Sequence, residues 1–151
     1  MKYKVLFILM VTIGALISTS YVKAENKDTQ LSVDSLRIPD NEKLVIIWTS
    51  GDRDVAIKMI FMYAYNAKKY KWWDDITLIV WGPSAKLITE DEELQDYMHK
   101  IIDSGISVKA CKGCSDQYGV SEKLAELGII VKYIGKEFTD YIKEGRNILT
   151  F

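Results

Sequence analysis

The chain has 151 residues, 48% apolar, 27% charged and 11% aromatic with only 2 Pro, the composition of one ordinary globular domain rather than a disordered, collagen-like or repetitive chain. Twenty Lys and Arg against 21 Asp and Glu give a net charge of −1, so no basic excess exists to neutralise a phosphate backbone, and nucleic acid is not an expected partner. Two Cys exclude a disulfide-rich scaffold, and the single His99 excludes any mechanism or metal cage that takes two imidazoles from one chain.

Lys2 and Lys4 open the chain with positive charge, and Val5 to Ile17 is an apolar run interrupted only by Thr12 and Gly14. That run is about 13 residues, whereas spanning a bilayer core takes roughly 20. Ser18 to Ala24 then turns polar and ends Val22-Lys23-Ala24, with small side chains where a signal peptidase reads. The pattern predicts a cleavable export signal over residues 1–24, with an uncleaved anchor as the alternative. The mature protein is then periplasmic or otherwise extracytoplasmic and not membrane-bound. Cleavage removes three Lys and no acid, leaving 17 basic residues against 21 acidic and a charge of −4. Residues 25–41, rich in Asn, Asp, Ser and Lys and closed by Pro39, read as a linker or flexible arm.

Compact blocks follow over residues 42–151. Leu44–Trp48 and Ile76–Trp81 are nearly continuous apolar runs, the mark of strands covered on both faces. Between them Val55, Ala56, Met59, Ile60, Tyr63, Ala64 and Ala67 recur at helical spacing, and Lys68, Lys69 and Lys71 place positive charge at the helix end. Gly82-Pro83-Ser84 reads as a short turn. Thr89-Glu90-Asp91-Glu92 reads as a capping box opening a helix to Ser104, stopped by Gly105. A third strand is expected over Ile106–Ala110, a helix over Ser121–Leu127 before Gly128, a fourth strand over Ile129–Tyr133, a helix over Phe138–Glu144 before Gly145, and a fifth strand over Asn147–Phe151. Alternating strands and helices predict a single three-layer α/β/α domain on a mostly parallel five-stranded sheet.

Functional groups in such sheets collect at the carboxyl ends of the strands. Three loops fit: Thr49-Ser50-Gly51-Asp52-Arg53, Gly82-Pro83-Ser84-Ala85 and Cys111-Lys112-Gly113-Cys114-Ser115. Ser50, Gly51, Gly82 and Ser84 are candidate donors of N–H or hydroxyl groups to a ligand or anion, because helix starts leave N–H groups unsatisfied, and Lys112 is a candidate to bind it by charge. Ser50 to Arg53 lacks the second Gly and the Lys of a phosphate-binding P-loop, so Ser50 or Asp52 reads first as a helix N-cap. Arg53 reads as an anion ligand or a solvated charge, His99 as a surface or interface residue, and the acidic run Glu90 to Glu93 as a first-turn charge pattern rather than a metal site.

Cys111 follows the third strand directly, and Cys114 completes a Cys-x-x-Cys pair. Lys109 or Lys112 and the N–H groups of the turn can favour the thiolate, which is the nucleophile. A zinc ribbon lacks two ligands. A structural disulfide, a pair of buried thiols, a thioredoxin-like redox couple and a sulfur-carrying nucleophile all remain consistent with the spacing. Gly119 cuts short the long helix that a thioredoxin-like pair wants.

Trp48-Thr49-Ser50-Gly51-Asp52, Val80-Trp81-Gly82-Pro83-Ser84-Ala85 and Gly105-Ile106-Ser107-Val108-Lys109-Ala110-Cys111 with downstream Gly119-Val120 resemble the DsrE/DsrF-like family over residues 42–151. The Val-x-Ala-Cys strand end is the most specific of these motifs. The resemblance implies a small α/β/α domain assembled into dimers, trimers or hexamers, in which the strand-end cysteine, here Cys111, carries a persulfide between a donor and an acceptor protein. No cofactor or metal is implied. Cys114 has no obligatory counterpart in the family pattern; resolving the persulfide, protecting Cys111 and forming a disulfide all stay open for it. The better understood family members are cytoplasmic, and the export signal departs from them.

The expected function is therefore a sulfur-relay protein or sulfurtransferase working through Cys111. The alternatives are a Cys-x-x-Cys thiol-disulfide redox protein and a non-catalytic binding or assembly module of the same fold. Tyr63, Tyr65, Tyr70, Trp72 and Trp73 cluster on and after the first helix and suggest a homo-oligomer interface. Trp48 and Trp81, at strand ends, are expected to wall a small apolar pocket around the sulfur.

Overall fold

The computed structural model describes residues 42–151. The expected export signal, residues 1–24, and arm, residues 25–41, lie outside the described residues.

Five strands, β1 (Lys43–Trp48), β2 (Asp75–Val80), β3 (Ser107–Cys111), β4 (Ile130–Lys132) and β5 (Asn147–Thr150), form one sheet in the order β4-β3-β2-β1-β5. Every neighbouring pair is parallel. The apolar runs behind β1 and β2 have the cause expected of them, since five of the six residues in each strand are buried.

Helix α1 runs from Arg53–Val55 through a π-helical stretch, Ala56–Phe61, to Met62–Lys69. Asp52 is its N-cap; the carboxylate accepts the N–H groups of Asp54 at 2.8 Å and Val55 at 3.3 Å. The wide stretch is marked by Met62 N–H donating to the Ile57 carbonyl, five residues back. Next come α2 (Pro83–Glu90), α3 (Glu92–Asp103), α4 (Lys112–Tyr118), α5 (Ser121–Glu126) and α6 (Gly135–Lys143).

Two of these helices replace expected connections. The Gly82-Pro83-Ser84 turn is the start of α2, because Pro83 at the first helical position has the φ a helix needs, and Gly82 adopts φ 74° and ψ −133°, which a side chain would resist. The cysteine loop is mostly α4, a helix without apolar periodicity that Gly119 ends in the left-handed region at φ 69°. The capping box also moves. Thr89 lies inside α2, with its hydroxyl donating to the Lys86 carbonyl, and the cap of α3 is Asp91, whose carboxylate accepts Leu94 N–H at 3.0 Å.

Alternation along β1 sorts the core. Leu44, Ile46 and Trp48 face α1, α2, α3 and α5 through Phe61, Ile88, Leu94, Met98 and Leu124. Val45 and Ile47 face α6 through Ile134 and Tyr141, with Phe138 packed at the edge. The connections β1 to β2, β2 to β3 and β3 to β4 thus lie on one side, and α6 crosses back on the other to reach β5 beyond β1.

An ion-pair cluster fastens α6. Glu137 pairs with Lys109 of β3, with Lys132 of β4 at 2.7 Å and with the Tyr141 hydroxyl. Burial alone pushes the Glu137 carboxyl up, but the hydrogen bonds from Lys109, Lys132 and Tyr141 outweigh it and hold the group at about 2 against an ordinary 4.5. A depressed carboxyl stabilises above its unfolded value and loses that contribution as pH falls from about 4.5 towards about 2. The expected loss across that window is about 2 kcal/mol, allowing for solvent screening at a side chain 22% exposed. Urea unfolding at stepped pH checks it: Glu137→Gln should be weaker than the native chain at neutral pH and flatter through the acid window. Equal slopes for the two proteins would contradict the assignment.

Candidate functional site

Cys111 is the last residue of β3 and the N-cap of α4, with φ −69° and ψ 106°. Cys114 is the third residue of α4. Positions Ncap and N3 are neighbours across the first turn, each side chain within reach of the other's backbone N–H, so the Cys-x-x-Cys spacing brings both sulfurs to one corner of the helix start. Both thiols are free and partly buried. Cys111 therefore has an opening to solvent, while its inner side packs against the apolar cluster on the α6 face. Burial pushes the Cys114 thiol up, and its hydrogen bond with Cys111 pushes the same way; the Gly82 N–H and the Trp81 side chain pull it down without reversing the shift. The proton accordingly stays on Cys114.

The lysines expected to act on the sulfur are engaged elsewhere. Lys109 shares the Cys111 face of β3 but spends its charge on Glu137 and Tyr141. Lys112 donates to both Asp116 oxygens at 2.8 and 2.7 Å and lies over the Tyr133 ring at 5.9 Å. The Lys112–Asp116 pair is an i, i+4 contact that exists only because α4 is a helix. Asp116 also accepts the Ser121 hydroxyl at 2.6 Å, and Ser121 meets the buried Ser115 hydroxyl at 2.7 Å. Ser115 belongs to the expected cysteine loop, whereas Asp116 and Ser121 carry no sequence signal beyond the Lys112/Asp116 spacing, which counts only once a helix is recognised.

Among the expected anion donors, Ser84 is fully buried. Its hydroxyl donates to the Trp48 carbonyl at 2.6 Å and accepts Trp81 N–H at 3.1 Å, so it ties the end of β1 to the end of β2 instead of facing a ligand. Ser84→Ala removes both hydroxyl bonds from a buried site while Trp81 N–H keeps its bond to the Trp48 carbonyl at 2.9 Å, with an expected cost of about 1 kcal/mol in denaturant unfolding; an unchanged midpoint would refute this role. Ser50 is also committed: its Oγ accepts Asp52 N–H at 3.0 Å and its N–H donates to the Phe151 carbonyl at 3.2 Å. Thr49 binds the same carbonyl through its N–H at 2.8 Å and its Oγ1 at 2.7 Å, which closes the crevice between β1 and β5. Gly51 is exposed against Pro83. Gly82 alone of these positions reaches the cysteines, through its N–H towards Cys114.

The two tryptophans part company. Trp81 edges the Cys111 side of the sheet and meets Phe138 edge-on at 5.5 Å. Trp48 pairs in register with Val80, one residue before Trp81, so it points to the opposite layer, against Phe61 at 5.1 Å. The pocket expected between them does not form. A cleft of about 210 Å³ does open at this end of the sheet, lined by Gly51, Pro83, Lys86, Leu87, Glu90 and Tyr118, but neither cysteine borders it.

Arg53 is held by Asp91 at 2.7 Å and by Glu93, and His99 is exposed. Tyr70 and Trp72 stack at 5.9 Å and are exposed, just before β2 and so at the opposite end of the sheet from the cysteines. Among the described residues, no group of three or more His, Cys, Asp or Glu is placed to hold a metal ion, and no helix is long and apolar enough to cross a membrane.

The model of the DsrE/DsrF-like family matches residues 42–151, the whole of the described sheet and its helices. The chain belongs to that family. Membership suggests a sulfur-relay type of fold, and in this chain Cys111 stands at the junction of β3 and α4. A conserved protein of unknown function from Bacteroides thetaiotaomicron is 38% identical with a TM-score of 0.73, over 76% of this chain and 98% of that one. The ychN protein of E. coli shares the fold at 17% identity and a TM-score of 0.58, over 72% of this chain and 98% of its own. No curated protein matches significantly.

Proposed function

We propose that this DsrE/DsrF-like protein is a sulfur carrier that holds a persulfide on Cys111 and passes it to a partner protein. The observation that carries the reading is the placement of Cys111: a free thiol, partly open to solvent, at the carboxyl end of β3 and the start of α4. Loading is a single displacement. The Cys111 thiolate attacks the outer sulfur of a donor persulfide, the donor's S–S bond breaks, and the donor leaves as a thiolate. Unloading repeats the step with Cys111 as the donor. The Cys114 S–H, directed at Cys111, and the N–H groups of the first turn of α4 are donors for the negative sulfur in between.

Sulfur transfer to and from protein thiols needs an approachable sulfur, which agrees with a Cys111 that is only partly buried. The aromatic patch at Tyr70 and Trp72 belongs, in this proposal, to contacts between copies of the chain, leaving the cysteine end clear. Export to an extracytoplasmic compartment remains part of the proposal on the strength of the leading apolar run.

Intact-mass measurement after incubation with a low-molecular-weight persulfide tests the carrier reading. The expected result is an addition of roughly 32 Da, one sulfur atom, on Cys111. Absence of that addition on every form of the protein would leave a binding or assembly module as the better account.

A further inference from the structure

We infer that Cys114 is a resolving thiol, so that a persulfide on Cys111 not collected by an acceptor is reduced in place to sulfide, leaving a Cys111–Cys114 disulfide. This rests on the carrier reading and extends it from storage to a second, reductive outcome at the same site.

Three observations place the two sulfurs for it. Cys111 and Cys114 occupy the N-cap and third positions of α4, and the radius and rise of an α-helix put such Cα atoms roughly 5 Å apart, inside the ~4.4–6.8 Å window that a disulfide requires. The two thiols already contact one another in their reduced form. The intervening Gly113 faces open space, so nothing crowds the turn that has to tighten when the bond closes. Ser115, Asp116 and Ser121 tie α4 to the start of α5, and Lys112 is paired with Asp116.

The step balances as an internal displacement. Cys114 loses its proton, and its sulfur attacks the Cys111 sulfur in line with the outer one. The Cys111–Cys114 bond forms, the bond to the outer sulfur breaks, and that sulfur takes the electron pair and the proton and leaves as hydrosulfide. The sulfane sulfur is reduced and the two cysteine thiols are oxidised. An external dithiol must then reduce the disulfide before the next load. The shift of the Cys114 thiol upward agrees with this order, because a protonated Cys114 waits while a thiol acceptor can still take the sulfur. A dithiol reductant thus becomes a required partner class beside the donor and the acceptor.

The test is a single loading of the reduced full chain with cysteine persulfide under argon, rapid removal of excess donor, and parallel intact-mass and sulfide measurements over time. Native protein is expected to lose the ~32 Da addition, end ~2 Da lighter than its reduced form and release about one equivalent of sulfide. Cys114→Ser and Cys114→Ala should both keep the addition at least about tenfold longer and release none. If native protein keeps the addition as long as these variants, with no sulfide, the resolving role is overturned while the carrier reading stands. If native protein and both variants all fail to take up sulfur, the carrier reading itself fails. Using both Ser and Ala guards against one variant that folds poorly.

Discussion

Cys111→Ser is expected to abolish sulfur loading and to reduce transfer to any acceptor thiol by at least about 100-fold, with the fold intact. A serine hydroxyl is not ionised at neutral pH and forms no stable sulfur adduct, so the substitution removes the nucleophile rather than weakening it. It should leave the structure undisturbed for local reasons. Cys111 uses no side-chain cap bond at α4, serine is a preferred N-cap, and the site is only partly buried. The Lys112→Ala variant is the informative companion. Lys112 is paired with Asp116, so its removal should change loading by less than about twofold. Loading rates from quenched samples of the three proteins settle the matter. A Cys111→Ser protein that still takes up sulfur would move the chemistry to Cys114, and a Lys112→Ala protein that cannot load would mean that the lysine leaves Asp116 during the reaction.

Trp48→Ala should produce a very large stability loss, about 4 kcal/mol, or a fall in Tm of roughly 20 °C for a domain this size. Trp48 is fully buried at the end of β1 and packs edge-on against Phe61, which in turn meets Tyr97 at 5.4 Å, so its removal opens a cavity shared by β1, α1 and α3. Among the described residues the indole N–H has no hydrogen-bond partner, which makes Trp48→Phe the telling control. That change deletes an unsatisfied donor together with part of the ring volume, and the two effects oppose each other. Its expected cost is below about 1.5 kcal/mol. Thermal and urea unfolding of the pair measure the difference. Similar losses for Ala and Phe would show that the indole N–H finds a partner in solution and that hydrogen bonding, not volume, holds the site together.

The cysteine site was half legible in the chain. Cys111 announces itself because it sits directly after the β3 residues of a β/α repeat, and Cys114 because of its spacing. The helix between them was hidden. Lys112–Tyr118 has neither apolar periodicity nor a conventional cap, and it is helical because Ser115, Asp116 and Ser121 close hydrogen bonds within and beyond it. Pro83–Glu90 was hidden for a different reason: Gly-Pro marks a turn and a helix start equally well. Ser84 illustrates the general difficulty with short polar loops. A serine after a strand reads alike whether its hydroxyl faces a ligand or, as here, bridges two strand ends out of reach of solvent.

Local sequence was sufficient for the parallel β/α architecture and the identity of the strand-end thiol, because continuous apolar runs, helical periodicity and Gly stops act over a few residues each. Where the charges go was decided only in three dimensions. Lys109 lies two positions from Cys111 along the chain yet belongs electrostatically to Glu137, 28 residues further on, since α6 crosses the far face of the sheet and delivers an acid that needs a partner once burial has stripped it of water. Trp48 and Trp81 likewise end neighbouring strands but point to opposite layers, because side-chain direction follows the pairing register of β1 with β2, which no single strand contains.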